Sequence, residues 1–179
     1  MNKRFALLLG ACCLAGSVFA GTQSLPITGF TQTMTATVGE QVTINDMPNQ
    51  VGWTVNNVNV ATAGTANGTF QFTNIVLGNG RKFRVSIKAS TAAFSAPLGA
   101  GATYLPGDVS WGVSNWSGGV LGTAGIMSDT TFNTIVESGA NPAGPFNCSD
   151  LVFTLAAKPA IDRAGAYIIT ADYRLDSIP

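Results

Sequence analysis

Any chemistry in this chain has to be done without histidine, because it contains none. That removes Ser-His-Asp and Cys-His nucleophile systems and the commonest zinc ligand. Of the three cysteines, Cys12 and Cys13 sit in the apolar start of the chain, and Cys148 stands alone with no base beside it in sequence. A thiol without an activating base is a poor catalytic nucleophile. Paired carboxylates, as glycosidases use them, are the remaining enzymatic option. The nine acidic residues are scattered singly, mostly in turn-like stretches, so neither an acid pair nor a D-x-D run for calcium is marked out. No G-x-S-x-G, P-loop or dinucleotide fingerprint appears; Gly78-Asn79-Gly80 reads as a turn. The sequence predicts no enzyme, no catalytic residue, no cofactor and no metal site.

Recognition chemistry is better represented. Trp111 and Trp116 flank a polar stretch, D-V-S-W-G-V-S-N-W-S-G-G. Two exposed indoles beside Asn and Asp would make a stacking platform for sugar rings. The competing reading places both in a sandwich core, and Trp53 with them. Cys148 is either a buried thiol or the half of an intermolecular bond.

The elements that hold these residues are strands. Residues 162–175, D-R-A-G-A-Y-I-I-T-A-D-Y-R-L, alternate from Tyr167 onward: Tyr167, Ile169, Ala171, Tyr173 and Leu175 on one side, Ile168, Thr170, Asp172 and Arg174 on the other. Period two with one apolar face predicts a half-buried strand. Residues 31–38 alternate too, with Thr31, Thr33, Thr35 and Thr37 opposite Gln32, Met34, Ala36 and Val38, and Phe30 in the same register as the apolar set. Further strands are expected at 41–44, 51–60, 69–77, 82–89, 108–111, 116–121, 130–136 and 151–156, with loops at 61–68, 90–107, 122–129 and 138–150. Asn79-Gly80 between two alternating runs predicts a hairpin over 69–89, whose second arm turns Phe83, Val85, Ile87 and Ala89 inward. No sustained helical period and no fixed-length repeat occurs. The expectation is an all-β, antiparallel, immunoglobulin-like β-sandwich of about eight to ten strands.

The first residues read as an address. Asn2-Lys3-Arg4, an apolar run to Gly16, and Val18-Phe19-Ala20 have the pattern of a secretory signal peptide cut after Ala20. Leu9-Gly10-Ala11-Cys12 offers a lipobox as the alternative. The division expected is 1–20 signal peptide, 21–30 extended segment and 31–179 sandwich domain. The apolar run is too short to span a bilayer, and no other stretch is a candidate for one. Without Lys3 and Arg4, seven basic residues face nine acidic ones, a net charge of −2. Arg81, Lys82, Arg84 and Lys88 are the only basic cluster, so nucleic acid is not an expected partner. Charged residues make up 10% of the chain, well below the usual quarter. The remainder is rich in Thr, Gly, Ala and Asn, a composition suited to β-rich secreted surface proteins. Sequons at Asn67, Asn115 and Asn147 would matter only in a glycosylating host, and the short Lys-Arg leader has a bacterial look.

An acid followed by Ala-Gly and a strand-opening Tyr resembles the tyrosine corner of immunoglobulin-like sandwiches. Asp162 lies five residues before Tyr167, and Ile169 stands where antibody domains carry a cysteine. The ending G-A-Y-I-I-T-A-D-Y-R-L also resembles the closing strand of bacterial fimbrial and spore-coat-type surface subunits. Such subunits commonly pair two cysteines; this chain keeps only Cys148 beyond its leader. The resemblance implies a secreted, cell-surface structural subunit that builds a pilus, fibre or coat as a homopolymer. Phe30, Met34, Ala36 and Val38 would form the strand given to a neighbour, or else the first strand of their own domain. The alternative class is a carbohydrate-binding module or adhesin, with a glycan or host-surface ligand on Trp111 and Trp116.

Overall fold

The computed structural model describes residues 34–65 and 69–179. Within it Thr37–Pro179 forms one compact unit. The expected signal peptide, the lead-in 21–30 and residues Phe30 to Thr33 lie outside the described residues.

The described chain is all-β and sandwich-like, with no α-helix. Its strands are β1 (Gln41–Asp46), β2 (Thr62–Ala63), β3 (Phe70–Val76), β4 (Lys82–Ala89), β5 (Val109–Trp111), β6 (Asn115–Trp116), β7 (Val120–Leu121), β8 (Gly125–Ile126), β9 (Asn133–Glu137), β10 (Phe146–Cys148), β11 (Phe153–Leu155) and β12 (Ala171–Ile178). Three sheets result, in the orders β1-β3-β10-β6-β7, β2-β11-β5-β8 and β12-β4-β9. Every pairing is antiparallel.

The first and third sheets face one another through aromatic rings. Phe72 meets Phe83 edge-on at 5.1 Å, and Phe70 meets Tyr173 edge-on at 5.5 Å. Phe83 in turn touches Phe146 at 6.1 Å. Offset and edge-to-face contacts of this kind add to the burial of large apolar surfaces. β4 is the central strand of the third sheet. Phe83, Val85, Ile87 and Ala89 are all buried on its inner side, as the alternation predicts.

The segment 69–89 departs from the expected hairpin. β3 pairs with β1 and β10, and β4 pairs with β12 and β9; the two never share a ladder. The chain arches from one sheet to the other, so β3 and β4 meet face to face rather than edge to edge. The turn itself is real: Gly80 has φ +79°, and Arg81 N–H donates to Gly78 O at 3.1 Å. Asn141 Oδ1 accepts from Gly80 N–H at 2.7 Å and ties the arch to the loop before β10. Asn74, at φ +49°, shifts the phase of β3. Phe70 and Phe72 point inward before it; after it Ile75 is buried and Val76 turns out, where unbroken alternation from Phe70 would have turned Val76 inward. β1 and β10 take both edges of β3, and β12 and β9 take both edges of β4, so neither strand has an edge left for the other.

Other differences are smaller. β2, β8 and β10 form inside stretches expected to be loops. Residues 51–55 alternate between half-buried and exposed, the alternation lapses over 56–60, and the segment makes no strand. Residues 34–38 carry no strand either, and their side chains are exposed. The last strand begins at Ala171 instead of Tyr167.

Candidate functional site

β12 lies at one edge of its sheet, and that edge opens on a cleft of about 890 Å³. One wall is the extended run from Ile161 to Ala171, every residue of which lines the cleft. The other is the run from Pro48 to Trp53, with Val55 and Val58. Ile87, Phe94, Tyr104, Met127, Phe153 and Leu155 are among the residues of its floor.

The first wall is held from one side only. Ile168 N–H donates to Ser95 O at 3.1 Å, and its carbonyl accepts from Ser95 N–H at 2.9 Å. Ser90 N–H donates to Thr170 O at 2.8 Å. In extended chain, successive residues direct their peptide groups to opposite edges. The bonds of Ile168 and Thr170 therefore turn the peptide groups of Tyr167 and Ile169 toward the cleft, where they have no backbone partner among the described residues. The side chains of Tyr167, Ile169, Ala171, Tyr173 and Leu175 pack on the core but stay only partly buried. The alternation read from the sequence is thus present, and it is incompletely covered.

The corner that opens this wall is fixed by four contacts. Tyr167 Oη donates to Arg163 O at 3.0 Å, four residues back, as a tyrosine corner requires. Asp162 takes a different part: its carboxylate accepts from Gly101 N–H at 3.0 and 3.1 Å. Arg163 Nε donates to Gly99 O at 3.0 Å. Gly165 sits at φ +145°, and a Cβ there would lie 2.5 Å from Pro97, so only glycine fits. Burial pushes the Tyr173 phenol up to about 12.

The opposite wall is also weakly bonded. Gly52 O accepts from Thr65 N–H at 3.1 Å, and Lys158 N–H donates to Val58 O at 2.7 Å. Val51, Trp53 and Val55 turn partly inward but make no backbone hydrogen bond among the described residues. Trp53 Nε1 donates to Phe153 O at 3.2 Å and its ring lines the cleft. It is the tryptophan nearest open surface, where the sequence suggested core.

Of the two readings of Trp111 and Trp116, the structure shows the core one, and no platform is formed at the surface. Trp111 is 3% exposed and Trp116 4% exposed. Trp111 Nε1 donates to Thr123 O at 2.8 Å, and its ring meets Phe153 edge-on. Trp116 stacks on Phe146 at 5.0 Å and donates to Ser114 Oγ at 3.0 Å. Both faces are consumed by neighbours, so neither is available to a sugar ring; the apolar contacts of β5 and β6 decide their place, and the polar residues between them do not.

Cys148 is buried and free. Its Sγ lies 3.3 Å from Asp150 Oδ1, and burial raises the thiol above its ordinary pKa. Asn115 donates to both Asp150 oxygens from its side chain and backbone, and these bonds hold that carboxyl below its ordinary pKa. A protonated, enclosed thiol is suited to neither attack nor bonding across subunits.

No group of three metal-ligating side chains occurs among the described residues. No helix among them is long and apolar enough to cross a membrane. In comparisons with known proteins the chain matches no family model, no curated protein and no solved structure.

Proposed function

We propose that this chain is a secreted structural subunit, an immunoglobulin-like sandwich that assembles with its own copies into a pilus, fibre or coat at a bacterial surface. The observation that carries the reading is the open edge of β12. The peptide groups of Tyr167 and Ile169, without a backbone partner among the described residues, stand over half-covered apolar side chains, beside a second run that is almost as free. A solitary soluble domain ordinarily blunts such an edge with charge, proline or a covering loop. An edge left open over apolar surface suits β-strand addition. The leader-like start, the scarcity of charge and the resemblance of residues 165–175 to closing strands of surface subunits support the same class.

The test is electron microscopy of the exported protein in its native state, with size-exclusion chromatography alongside. Regular filaments or a lattice at micromolar concentration are expected. A monodisperse monomer under all export conditions would remove the polymer reading.

A further inference from the structure

We propose that the cleft beside β12 is a binding site for a neutral aromatic molecule that carries a hydroxyl or carbonyl oxygen. The inference goes beyond the subunit reading and does not depend on it, because every group lining the cleft comes from one chain.

The lining favours rings. Trp53, Phe94, Tyr104 and Tyr167 all border the cleft and form one row, with centroids 6.5, 5.8 and 5.5 Å apart in succession. No two neighbours in the row lie face to face: their planes meet at 60°, 60° and 87°. A flat ligand ring continues such a row in edge-on or offset contact, the arrangements that aromatic quadrupoles prefer. Met127 adds a polarizable sulfur, which also suits ring edges. The volume, about 890 Å³, falls within the ~300–1,000 Å³ of sites that take drug-sized molecules.

The polar groups are few, neutral and unspent. Tyr104 is 3% exposed, and its hydroxyl has no hydrogen-bond partner among the described residues. The polar side-chain atoms sealed without a partner are Ser86 Oγ and Asn147 Oδ1, so the Tyr104 oxygen is still reachable, and it opens on the cleft that its residue lines. The Tyr173 hydroxyl is likewise unpartnered and borders the same space. Burial, with Tyr167 and Asp108 nearby, pushes the Tyr104 phenol up, so both phenols keep their protons and can donate to a ligand oxygen. The charged residues of the lining are Asp162 and Arg163, opposite in sign and each tied to the 99–101 turn. An ionic ligand would lose its water here without gaining a countercharge. A sugar would bring more hydroxyls than two phenols and the peptide groups of Tyr167 and Ile169 can satisfy.

The test is binding of 1-hydroxypyrene, a neutral fused-ring phenol, read by its fluorescence anisotropy. The protein is the full exported chain at a dilution where it elutes as a monomer. Pyrene lacks the oxygen, 1-pyrenesulfonate adds a charge, and cellobiose stands for a sugar. Saturable binding of 1-hydroxypyrene is expected, about fivefold or more tighter than either pyrene or pyrenesulfonate, the usual worth of one hydrogen bond. Cellobiose should not displace it. Tyr104→Phe keeps the ring and removes the hydroxyl, so it should weaken 1-hydroxypyrene about fivefold and leave pyrene unchanged. Melting curves check the fold, and Tyr173→Phe makes the same comparison at the second phenol if the first variant does not fold. Equal affinity for pyrene and 1-hydroxypyrene, unchanged by loss of the phenol, overturns the polar contact. Tightest binding of the sulfonate overturns the neutral lining, and displacement by cellobiose overturns the ligand class. No saturable binding of any ring compound overturns the site itself, and none of these outcomes touches the polymer reading.

Discussion

The interior of this domain is closed in two different ways. Between the first and third sheets, Phe70, Phe72, Phe83, Trp116 and Phe146 lock ring against ring, and each is at most 4% exposed. Along β12 the same alternation of side chains ends in Tyr167, Ile169 and Ala171, which are packed on one side and open on the other. The difference is not one of residue type, since both regions are aromatic and aliphatic. It lies in the neighbours: β4 has a strand on each side, and β12 has one. Sheet edges, more than composition, decide where apolar surface stays exposed.

Substitutions can break or sharpen that contrast. Phe72→Ala in the closed region should cost about 3–5 kcal/mol, measured by denaturant unfolding. A loss under 1 kcal/mol would mean the facing sheets are not packed as described.

Tyr173 joins the two regions, touching Phe70 on one side and lining the cleft on the other. Its folded pKa of about 12 lies above that of an unfolded tyrosine, near 10. The unfolded chain therefore gives up the proton first as pH rises. The stabilisation is full below about pH 10 and fades toward pH 12, a loss on the order of 2–3 kcal/mol at roughly 1.4 per unit. Tyr173→Phe should flatten this alkaline limb in stability measurements across that window; an unchanged limb would refute the assignment.

At the open edge the losses should be smaller. Ile169→Ala is expected to cost about 1–2 kcal/mol in the monomer, below the usual range for a fully buried isoleucine. If copies assemble through this edge, assembled material should feel it more, because docking would complete the burial. Equal sensitivity in monomer and assembly would place the assembly contact elsewhere. Smallest of all, Tyr167→Phe removes one hydrogen bond to Arg163 O and should cost about 0.5–1.5 kcal/mol by thermal melting.

Much of the fold could be read from the residues. The inward set of β4 and the alternation of Tyr167 to Leu175 follow from period two alone; the partner of Tyr167 does not, since the acid that marks the turn, Asp162, binds Gly101 and the phenol bonds Arg163 O instead. What local pattern could not give is which strands share a sheet. Asn79-Gly80 marks a reversal, but a hairpin and an arch both need one; the choice depends on β10 and β12, some seventy to ninety positions away. Short strands such as β2 and β8 carry too few residues to show a period. Trp111 and Trp116 stand in a polar stretch that leaves core and surface both open, and their rings fill space between strands that come together only in three dimensions. The cleft was illegible for the same reason. It is made by two segments, near residues 50 and 165, whose shared property is a missing neighbour.

The pairing of β4 with β12 has a consequence for how the domain forms. Residues 82–89 wait for 171–178 before their second ladder exists, and the first sheet likewise waits for β10 to reach β3. Closing loops of that size is slow, and domains dominated by distant pairings fold in milliseconds to seconds. Through that interval the peptide groups of β4 on the β12 side have no ladder partner. A nascent chain of this kind is at its stickiest just before its final strand arrives, and whatever meets it then meets the open edge of β4 first.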